Sequence, residues 1–406
     1  MEDSLGLKPF SNYRLPIIHP DSFFGRRNIV ATVQRSPFSI RILLGGRRIG
    51  KSSVLHAIRW YLLSPEENSR LRAFPVFINL QQEQPSSLDN LRYLFIARLR
   101  EAIDSTKPKG SFWKELQQNR DRWMRQIPEG GIDLFGLTLK VSNPATNRSL
   151  IHEDFQQDLI EIIQALQKQN WTGVCFLLDG ADFIVNQDWA NNAWGYLRAL
   201  KETINTSIDP FLGIVFSGYR DLKRYQQKVG SPLLGIADVK WIGPLTESET
   251  RDLVLNRLRS RNLSVKDSFV DGVIQWAGCH PYLTQQLLNA IIENKKSPKP
   301  LRGQAFIHHL IRHQHDSDFS RWWDEKKAVY GFGRTEQSVY LTLTRKRQFT
   351  LEGLAAELNL AIGETEDALE VLMGTGVVRQ IDFETYQIGS RLFEKWVASE
   401  QAPKAK

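Results

Sequence analysis

Cysteine and long apolar runs are what this sequence has least of. Among its 406 residues only Cys175 and Cys279 are cysteines, so a disulfide-rich secreted scaffold is excluded and a reducing, cytoplasmic compartment is expected. No run of about 18 apolar residues occurs, so we expect no membrane-spanning helix and no membrane partner. The acidic start of the chain lacks the apolar region of a signal peptide, which also favours the cytoplasm.

Several familiar active-site patterns are also missing. No Cys/His cluster has zinc-finger spacing, no G-x-S-x-G turn marks a serine nucleophile, and no repeat with a period of about 20–50 residues indicates a solenoid. Four of the eight histidines gather at His308, His309, His313 and His315. His309 and His313 are four residues apart and would share a helix face, and because no H-E-x-x-H pattern is present, we interpret that face as solvated rather than as a metal site.

What the sequence does have is a complete phosphate-binding pattern. Residues 45–52 match G-x-x-x-x-G-K-[ST] without a mismatch. The glycines allow backbone N–H groups to face the phosphates, Lys51 would reach the β- and γ-phosphates, and Ser52 would place its hydroxyl on Mg²⁺. The pattern therefore predicts a site for ATP or ADP with Mg²⁺. The predicted phosphate-binding residues are Gly45, Gly46, Arg47, Arg48, Ile49, Gly50, Lys51, Ser52 and Ser53.

The residues around this pattern predict an α/β fold. The β-branched and apolar run 39–44 before it is typical of a buried strand, and apolar residues at helical spacing follow over 54–63. Pro75 favours an edge position for the second strand or the start of that strand. Further strands are predicted over 74–80, 174–178, 211–216 and 239–242, with helices between them over 90–102, 154–167 and 189–203. Strands that alternate with helices indicate a parallel sheet.

Two strand ends carry the remaining predicted catalytic residues. Asp179 follows the apolar run 174–178, and an acid at this position would hold Mg²⁺ beside Ser52, with a helix N-cap as the alternative role. Arg220 comes shortly after the run 211–216 and would contact the γ-phosphate. Ser217 is the alternative candidate for that contact, and a plain exposed turn arginine is the other reading.

These motifs occur in an order that resembles STAND-type AAA+ ATPases, in the branch that includes the archaeal ATPase and novel STAND families. The resemblance covers about 20–400 of the chain. It rests on Phe24-Gly25-Arg26-Arg27, the 45–52 loop, Leu177-Leu178-Asp179, Ser217–Arg220, Gly243-Pro244-Leu245-Thr246 and Gly278-Cys279-His280-Pro281-Tyr282-Leu283. It implies a P-loop parallel sheet of the AAA+/ASCE type, followed by a helical lid and a winged-helix domain.

The resemblance also implies roles for individual residues and for the whole protein. Phe24, Gly25 and Arg26 would border the adenine and ribose, Pro281 would pack on the adenine, and Arg220 would sense the γ-phosphate. The family works as signalling switches, closed with ADP and open to oligomerise with ATP. Many members act in cell death or antiviral defence, so a nucleotide-dependent oligomer with protein partners is expected.

One residue departs from the family pattern. The metal-binding acid is followed in the family by Glu or another acid that activates the attacking water, but Gly180 follows Asp179 here. Glycine has no side chain to polarise water, so we predict slow ATP hydrolysis rather than a fast motor cycle. Asp182 is expected to help with Mg²⁺, while Glu153 or Asp154 could supply an acid from another element.

The chain is predicted to divide into three parts. The parts are a P-loop domain over 1–245 with an insertion over 108–150, a helical lid over 246–330, and a winged helix-turn-helix domain over 331–406. The insertion has a partly alternating stretch over 130–141 that favours a hairpin. Thr246 and Glu249 have the spacing of a capping box, which predicts the first helix of the lid.

The predicted winged helix raises the question of whether the chain binds DNA. Residues 331–406 carry a net charge of −2, which leaves +10 for residues 1–330. The helix that would enter the major groove has no lysine or arginine, so DNA phosphates would repel it. Its acidic residues are Glu364, Glu366, Asp367 and Glu370. Only the predicted two-stranded wing over 377–388, with Arg379 and the nearby Arg391, could still touch DNA. We interpret the domain as a regulatory or protein-contact domain.

Two functions follow from these observations. The first is a nucleotide-gated signalling switch whose sensor and effector reside in partner proteins. The alternative is an AAA+ DNA-binding ATPase of the replication-initiator or transposition-helper kind, supported by the same domain order and by the positive charge of residues 1–330. A degenerate ATPase kept as a scaffold ranks last, because Lys51 and Ser52 are intact.

Overall fold

The fold is centred on a parallel five-stranded sheet. The structure is a computed structural model that describes residues 15–64, 71–106, 133–134, 137–138, 147–202, 208–229, 233, 235–328 and 330–401. The strands up to residue 241 are β1 (Ile40–Leu44), β2 (Ala73–Asn79), β3 (Asp133–Leu134), β4 (Leu137–Thr138), β5 (Gly173–Asp179), β6 (Leu212–Gly218) and β7 (Ala237–Trp241). The main sheet has the order β2-β5-β6-β1-β7, with every neighbouring pair parallel.

The apolar strands lie in the middle of the sheet, as their composition predicts. Strands β1 and β6 are buried along their whole length, and β5 is buried except at Asp179. Pro75 lies in β2, which is an edge strand and can accommodate a residue without an N–H. In register, Asn79 lies opposite Asp179, and Leu43 lies opposite Ser217. The polar strand ends therefore meet at the same edge as the glycine-rich loop.

Helices cover both faces of this sheet. They are α1 (Arg27–Arg35), α2 (Lys51–Leu63), α3 (Leu80–Glu83), α4 (Leu88–Ser105), α5 (Asn147–Gln167), α6 (Asp182–Val185), α7 (Ala190–Glu202) and α8 (Arg220–Val229). On one face α1 and α2 bury a core that includes Cys175, and burial raises the pKa of its thiol to about 12. On the other face α4, α5 and α7 pack on the sheet, where Phe95 stacks on Phe176 with 4.7 Å between ring centroids.

The residues after β7 form a second core of helices and short strands. These elements are α9 (Glu247–Arg259), α10 (Asp267–Ala277), α11 (Pro281–Lys296), α12 (Gly303–Leu310), a π-helical turn (Ile311–His315), α13 (Asp316–Trp323), α14 (Arg334–Lys346), β8 (Gln348–Thr350), α15 (Leu351–Leu358), α16 (Ile362–Thr375), β9 (Val378–Gln380), β10 (Thr385–Ile388) and α17 (Arg391–Gln401). The three strands form an antiparallel sheet in the order β8-β10-β9. Residues 334–401 are called the C-terminal module below.

The C-terminal module shares its core with the helices before it. Phe393 of α17 is fully buried and lies 5.1 Å from Phe319 of α13 and 5.2 Å from Tyr340 of α14, between ring centroids. The capping box at the start of α9 is confirmed: Thr246 Oγ accepts from Glu249 N at 3.1 Å, and Glu249 Oε2 accepts from Thr246 N at 2.9 Å. Strand β8 was not anticipated from the sequence.

Two predictions concern regions that are only partly described. Strands β3 and β4 form a short antiparallel pair, with Asp133 opposite Thr138, in the stretch where a hairpin was predicted. The remainder of the predicted insertion, as far as residue 146, lies outside the described residues. In the described part of the chain, no helix has the length and apolar character needed to cross a membrane.

Candidate nucleotide-binding site

The glycine-rich loop connects β1 to α2 at the carboxyl edge of the sheet. Gly50 has a φ of +101°, a left-handed conformation that favours glycine and directs the chain into α2. Lys51 Nζ donates to the carbonyl oxygens of Gly45 at 2.6 Å and Gly46 at 3.0 Å. Burial lowers the pKa of Lys51, while the carboxylates of Asp182 and Asp179 act in the opposite direction. The ammonium group is thus held within the loop that would surround phosphates.

Ser52, Asp179 and Ser217 form a connected set of oxygen atoms beside this loop. Ser52 Oγ donates to Asp179 Oδ2 at 2.6 Å, and Ser217 Oγ donates to Asp179 Oδ1 at 2.5 Å. Hydroxyl and carboxylate oxygens are the ligands that Mg²⁺ prefers, and Mg²⁺ keeps several waters while it is bound to few protein groups. The pair Ser52 and Asp179 therefore fits the predicted metal ligands.

A cavity of about 460 Å³ opens next to these oxygens. One part of its wall is apolar, and the other carries the loop cations and the strand-end polar groups. Its lining comprises Leu15, Pro16, Ile17, Phe23, Phe24, Arg26, Arg47, Arg48, Gly50, Lys51, Ser52, Ser53, Asn79, Gln81, Asp179, Leu245, Leu253, Pro281, Tyr282 and Gln285. Such a wall suits a ligand with an apolar ring at one end and anionic groups at the other.

The turn over Phe24, Gly25 and Arg26 closes one side of the cavity. Gly25 has a φ of +74°, and a Cβ there would lie 2.7 Å from Glu249 Cδ. Arg26 N donates to Glu249 Oε1 at 2.6 Å, and Arg26 Nη2 donates to Gly243 O at 2.8 Å. Burial lowers the pKa of Arg26 to about 10, while Glu249 raises it. Arg26 is therefore a fixed cation next to the loop, since a Cβ on Gly50 would lie 2.7 Å from its Nη1.

The two loop arginines reach across to residues beyond the sheet. Arg48 Nε donates to Asp318 Oδ1 at 3.2 Å, and Arg48 Cζ lies 4.5 Å from the ring centroid of Tyr282. Tyr282 Oη donates to the other oxygen of Asp318 at 2.6 Å. Arg47 Cζ lies 4.9 Å from the ring centroid of Tyr330. The tip of the phosphate-binding loop is therefore tied to the helical region that follows the sheet.

The loop also contacts the C-terminal module directly. Gly46 N donates to the carbonyl oxygen of Gly374, near the end of α16, at 2.8 Å. A Cβ on Gly46 would lie 2.7 Å from Cα and Oγ1 of Thr375, so the two backbones approach closely. Thr375 Oγ1 lies 3.1 Å from Tyr219 Oη in a buried contact. The end of α16 thus rests on the phosphate-binding loop.

Two predicted catalytic residues lie outside the cavity lining. Asp182 Oδ1 accepts from Tyr219 N at 3.0 Å and Leu222 N at 3.3 Å, so this carboxylate caps the start of α8. Burial raises the pKa of Asp182, and the Tyr219 N–H bond lowers it. Arg220 is 3% exposed and pairs with Glu336 of α14 at 3.4 Å and with Glu325 at 3.7 Å. The structure therefore does not bring Arg220 to the predicted phosphate site.

Arg220 belongs to a row of ion pairs between α8 and the C-terminal module. Arg224 pairs with Glu336 at 3.3 Å, and Lys223 pairs with Asp367 at 2.7 Å and also with Glu370. Trp241 Nε1 donates to Glu370 Oε2 at 3.1 Å. We call this contact the seam: it comprises Arg220, Lys223 and Arg224 with Glu325, Glu336, Asp367 and Glu370. Two of the four acidic residues of α16 that argued against DNA binding, Asp367 and Glu370, are here partners of Lys223 on α8.

Most of the predicted nucleotide-binding residues are brought together. Phe24, Arg26, Arg47, Arg48, Gly50, Lys51, Ser52, Ser53, Asp179 and Pro281 line the cavity, and Gly25, Gly45, Gly46 and Ile49 lie in the same turns. Asp154 lies on α5 outside the lining, and the side chain of Glu153 lies outside the described residues. Asn79, Gln81, Tyr282 and Gln285 also line the cavity and were missed. Asn79 ends β2 and Gln81 lies two residues later, but these polar residues form no motif that predicts a site.

Comparison with known proteins supports the fold. Neither a family model nor a curated protein matches the sequence. Among solved structures, the Walker-type ATPase paby2304 of Pyrococcus abyssi aligns with a TM-score of 0.56 at 14% identity over 96% of this chain and 100% of that one. This likeness confirms the predicted α/β P-loop fold with a helical C-terminal region.

Two further structures align at lower scores. The ORC1 protein of Aeropyrum pernix, in complex with DNA, has a TM-score of 0.42 at 12% identity over 96% of each chain. Cdc6p from Pyrobaculum aerophilum has a TM-score of 0.44 at 12% identity over 96% of this chain and 98% of that one. At these scores neither carries an argument about this chain.

Proposed function

We propose that this chain is an ATP-binding signalling switch of the STAND AAA+ type, with a winged helix-turn-helix as its C-terminal module. The observation that carries the proposal is the contact between the phosphate-binding loop and α16, through Gly46 N and Gly374 O at 2.8 Å. The amide that bonds α16 belongs to the loop whose amides would surround phosphates. Nucleotide binding and the position of the C-terminal module are therefore coupled through a single backbone segment.

The loop arginines extend this coupling to the helical region. Arg48 lines the cavity and also pairs with Asp318, which accepts from Tyr282. A triphosphate in the cavity would compete with Asp318 for Arg48, because both present anionic oxygens. The same reasoning applies to Arg220, which would have to leave Glu336 to reach a γ-phosphate. ATP would thus weaken the Arg48–Asp318 and Arg220–Glu336 contacts, which join the P-loop part of the chain to the residues after β7. ADP, which lacks the γ-phosphate, would weaken fewer of them.

The oxygen pair Ser52 and Asp179 would hold Mg²⁺, which would neutralise charge that develops on the phosphates. Lys51 and Arg26 would supply the nearby fixed cations. Hydrolysis would be slow, because no acid follows Asp179. A turnover rate of about 1–100 s⁻¹, typical of kinases, would contradict this part of the proposal. Sensor and effector subunits, and any role in antiviral defence, rest on the resemblance alone.

The proposal is tested by nucleotide content and assembly state together. Wild type and Lys51→Ala would be purified, any co-purified nucleotide identified, and light scattering recorded with ADP, with ATP and with short duplex DNA. Assembly with ATP alone, lost in Lys51→Ala, is the expected result. A mass that stays that of one chain under every condition, with nucleotide bound, would overturn the switch.

A DNA-binding ATPase remains the second candidate, and one surface favours it. Phe383 is 99% exposed and Ile381 is 47% exposed in the turn between β9 and β10. Apolar wedges of this kind can enter the minor groove. Arg379, beside them, already donates to Glu247 at 2.8 Å, and the acidic α16 is engaged in the seam. Assembly only after DNA is added, with strong salt dependence, would favour this candidate over the switch.

A further inference from the structure

The space beside Asp179 that a second acid would occupy is filled by another side chain. Gly180 has a φ of +74°, a conformation in which side chains are strained. A Cβ on Gly180 would lie 2.8 Å from Cγ and 3.2 Å from Cδ of Gln81. An acid at position 180 is therefore opposed both by the backbone and by Gln81.

Gln81 is held in this place by the end of β2. Asn79 lies opposite Asp179 in the sheet, and its Oδ1 accepts from the backbone N of Gln81 at 3.1 Å and of Gln82 at 3.2 Å. The backbone of Gln81 is therefore fixed, while its side chain lines the cavity with Lys51 and Asp179. Within the described residues, the side-chain amide of Gln81 has no hydrogen-bond partner, and the residue is exposed to water.

The other polar groups of the lining are engaged or lie elsewhere. Asp179 is the one carboxylate in the described lining, and both of its oxygens accept from serine hydroxyls. Asn79 Oδ1 accepts two backbone bonds, and Gln285 Nε2 donates to Pro281 O at 3.3 Å on the lid side. Gln81 is thus the polar side chain next to Asp179 whose amide oxygen Oε1 and amide nitrogen Nε2 are both available.

We infer that Gln81 is a catalytic residue that orients the water attacking the γ-phosphate of ATP, an inference that rests on the proposed function. Its Oε1 would accept a hydrogen bond from that water and its Nε2 would donate to a γ-phosphate oxygen. The bond from water oxygen to the γ-phosphorus forms as the bond to the β–γ bridging oxygen breaks. ADP leaves, and the water proton passes to phosphate, because an amide cannot take it.

This assignment explains how the chain can turn over ATP without an acid at position 180. A glutamine orients water but is not a base, which agrees with the slow hydrolysis proposed above. The same role is known for glutamines that orient the attacking water in small GTP-hydrolysing proteins. Here the residue would come from the turn after β2 rather than from the position after Asp179.

The experiment is single-turnover ATP hydrolysis by the full chain, with ATP and ADP affinities measured in parallel. Gln81→Ala is expected to lower the hydrolysis rate constant about 10- to 100-fold and to leave both affinities within about twofold. Gln82→Ala is the matched control, because Gln82 is the exposed neighbour outside the cavity lining and bonds Asn79 through the same kind of N–H. Its rate constant should remain that of wild type.

A second variant separates catalysis from structure. Gln81→Glu places a base at the same position, so its rate constant should rise with pH as the new carboxyl ionises, whereas Gln81→Ala should show no such rise. A merely structural role would not produce this pH profile.

The outcomes distinguish this inference from the proposed function. Turnover by wild type that Gln81→Ala leaves unchanged would overturn the inference alone. An equal loss of ATP affinity and rate would also overturn it, because Gln81 would then bind nucleotide rather than water. Wild type that binds ATP without any turnover would overturn both the inference and the proposed hydrolysis. ATP-dependent assembly would still stand on its own measurement.

Discussion

The cavity beside the glycine-rich loop and the seam are built from the same kinds of charged residues, but in different ways. In the cavity, cations and polar oxygens from one sheet edge face an open space. In the seam, three cations of α8 are already paired with carboxylates of the C-terminal module. Arg220, predicted for the cavity, lies in the seam. The difference teaches that the position of an arginine shortly after a strand does not by itself decide which anion the side chain contacts.

The largest expected effect tests which region binds nucleotide. Lys51→Ala removes the loop ammonium and should weaken ATP binding about a thousandfold, roughly 4 kcal/mol, since it deletes one partner of a buried charge contact. Arg220→Ala should change ATP binding less than about threefold, because the γ-phosphate contact that it removes is offset by the Glu336 contact that no longer has to break. Titration with a fluorescent nucleotide measures both. An equal loss for the two variants would place Arg220 in the cavity.

The next effect concerns the seam alone. Glu336 is 4% exposed and accepts from Arg220 and Arg224. Glu336→Gln should destabilise the contact between α8 and the C-terminal module by about 2 kcal/mol. This value is at the low end for a buried ion pair, because Glu325 still pairs with Arg220. Amide hydrogen exchange in α16 should become faster, while ADP affinity stays near that of wild type.

Glu384 offers the matched control for this change. It is an exposed carboxylate in the turn between β9 and β10, away from the seam. Glu384→Gln should leave exchange in α16 unchanged. If Glu336→Gln also left it unchanged, the ion pairs would not be what holds the module against α8, and the comparison between the two regions would lose its basis.

The two regions also differ in how far the sequence predicts them. The P-loop and Asp179 are local patterns, and they predicted seven of the twenty residues in the described cavity lining. The apolar run before Asp179 likewise predicted the buried strand β5. The pairing of Lys223 with Glu370 joins residues 147 positions apart, and no local pattern marks it. The acidic residues of α16 were therefore interpreted as an argument about DNA, although two of them, Asp367 and Glu370, pair with another helix of the same chain. Gln81 was missed because polar residues after β2 form no motif.

The buried His280 lies between Tyr282 of the cavity wall and the residues after α16, and its burial predicts a pH effect on stability. His280 Nδ1 accepts from Tyr282 N, and a Cβ on Gly376, after α16, would lie 2.9 Å from its ring. Burial, together with the charges of Arg26, Arg48 and His315, lowers the pKa of His280 from 6.5 to about 3. Below pH 6.5 the unfolded chain binds a proton that the folded chain does not, so this part of the stability is lost as pH falls toward 3.

The test compares wild type with His280→Asn by urea unfolding at about pH 7.5 and 5.5. Asparagine can cap α11 without titrating. From pH 7.5 to 5.5, the free energy of unfolding of the variant should therefore fall by about 1.4 kcal/mol less than that of wild type. His308→Asn, at an exposed position, should follow wild type. Equal losses in wild type and His280→Asn would show that acid acts through other groups.

The smallest expected effect belongs to the cavity side and leaves the seam alone. Thr246 caps α9, and Glu249 joins that cap to the cavity, since its Oε2 accepts from Thr246 N and its Oε1 from Arg26 N. Thr246→Ala should cost about 1 kcal/mol of stability and weaken ADP binding only about twofold, because Glu249 keeps its bond to Arg26. Ser105→Ala is the control, because Ser105 is exposed at the end of α4, donates to Ala102 O and lies outside both the cavity lining and the seam. Exchange in α16 should stay unchanged in Thr246→Ala. Faster exchange there would mean that the cap of α9 and the seam form one cooperative unit, and the two regions could no longer be treated as separable.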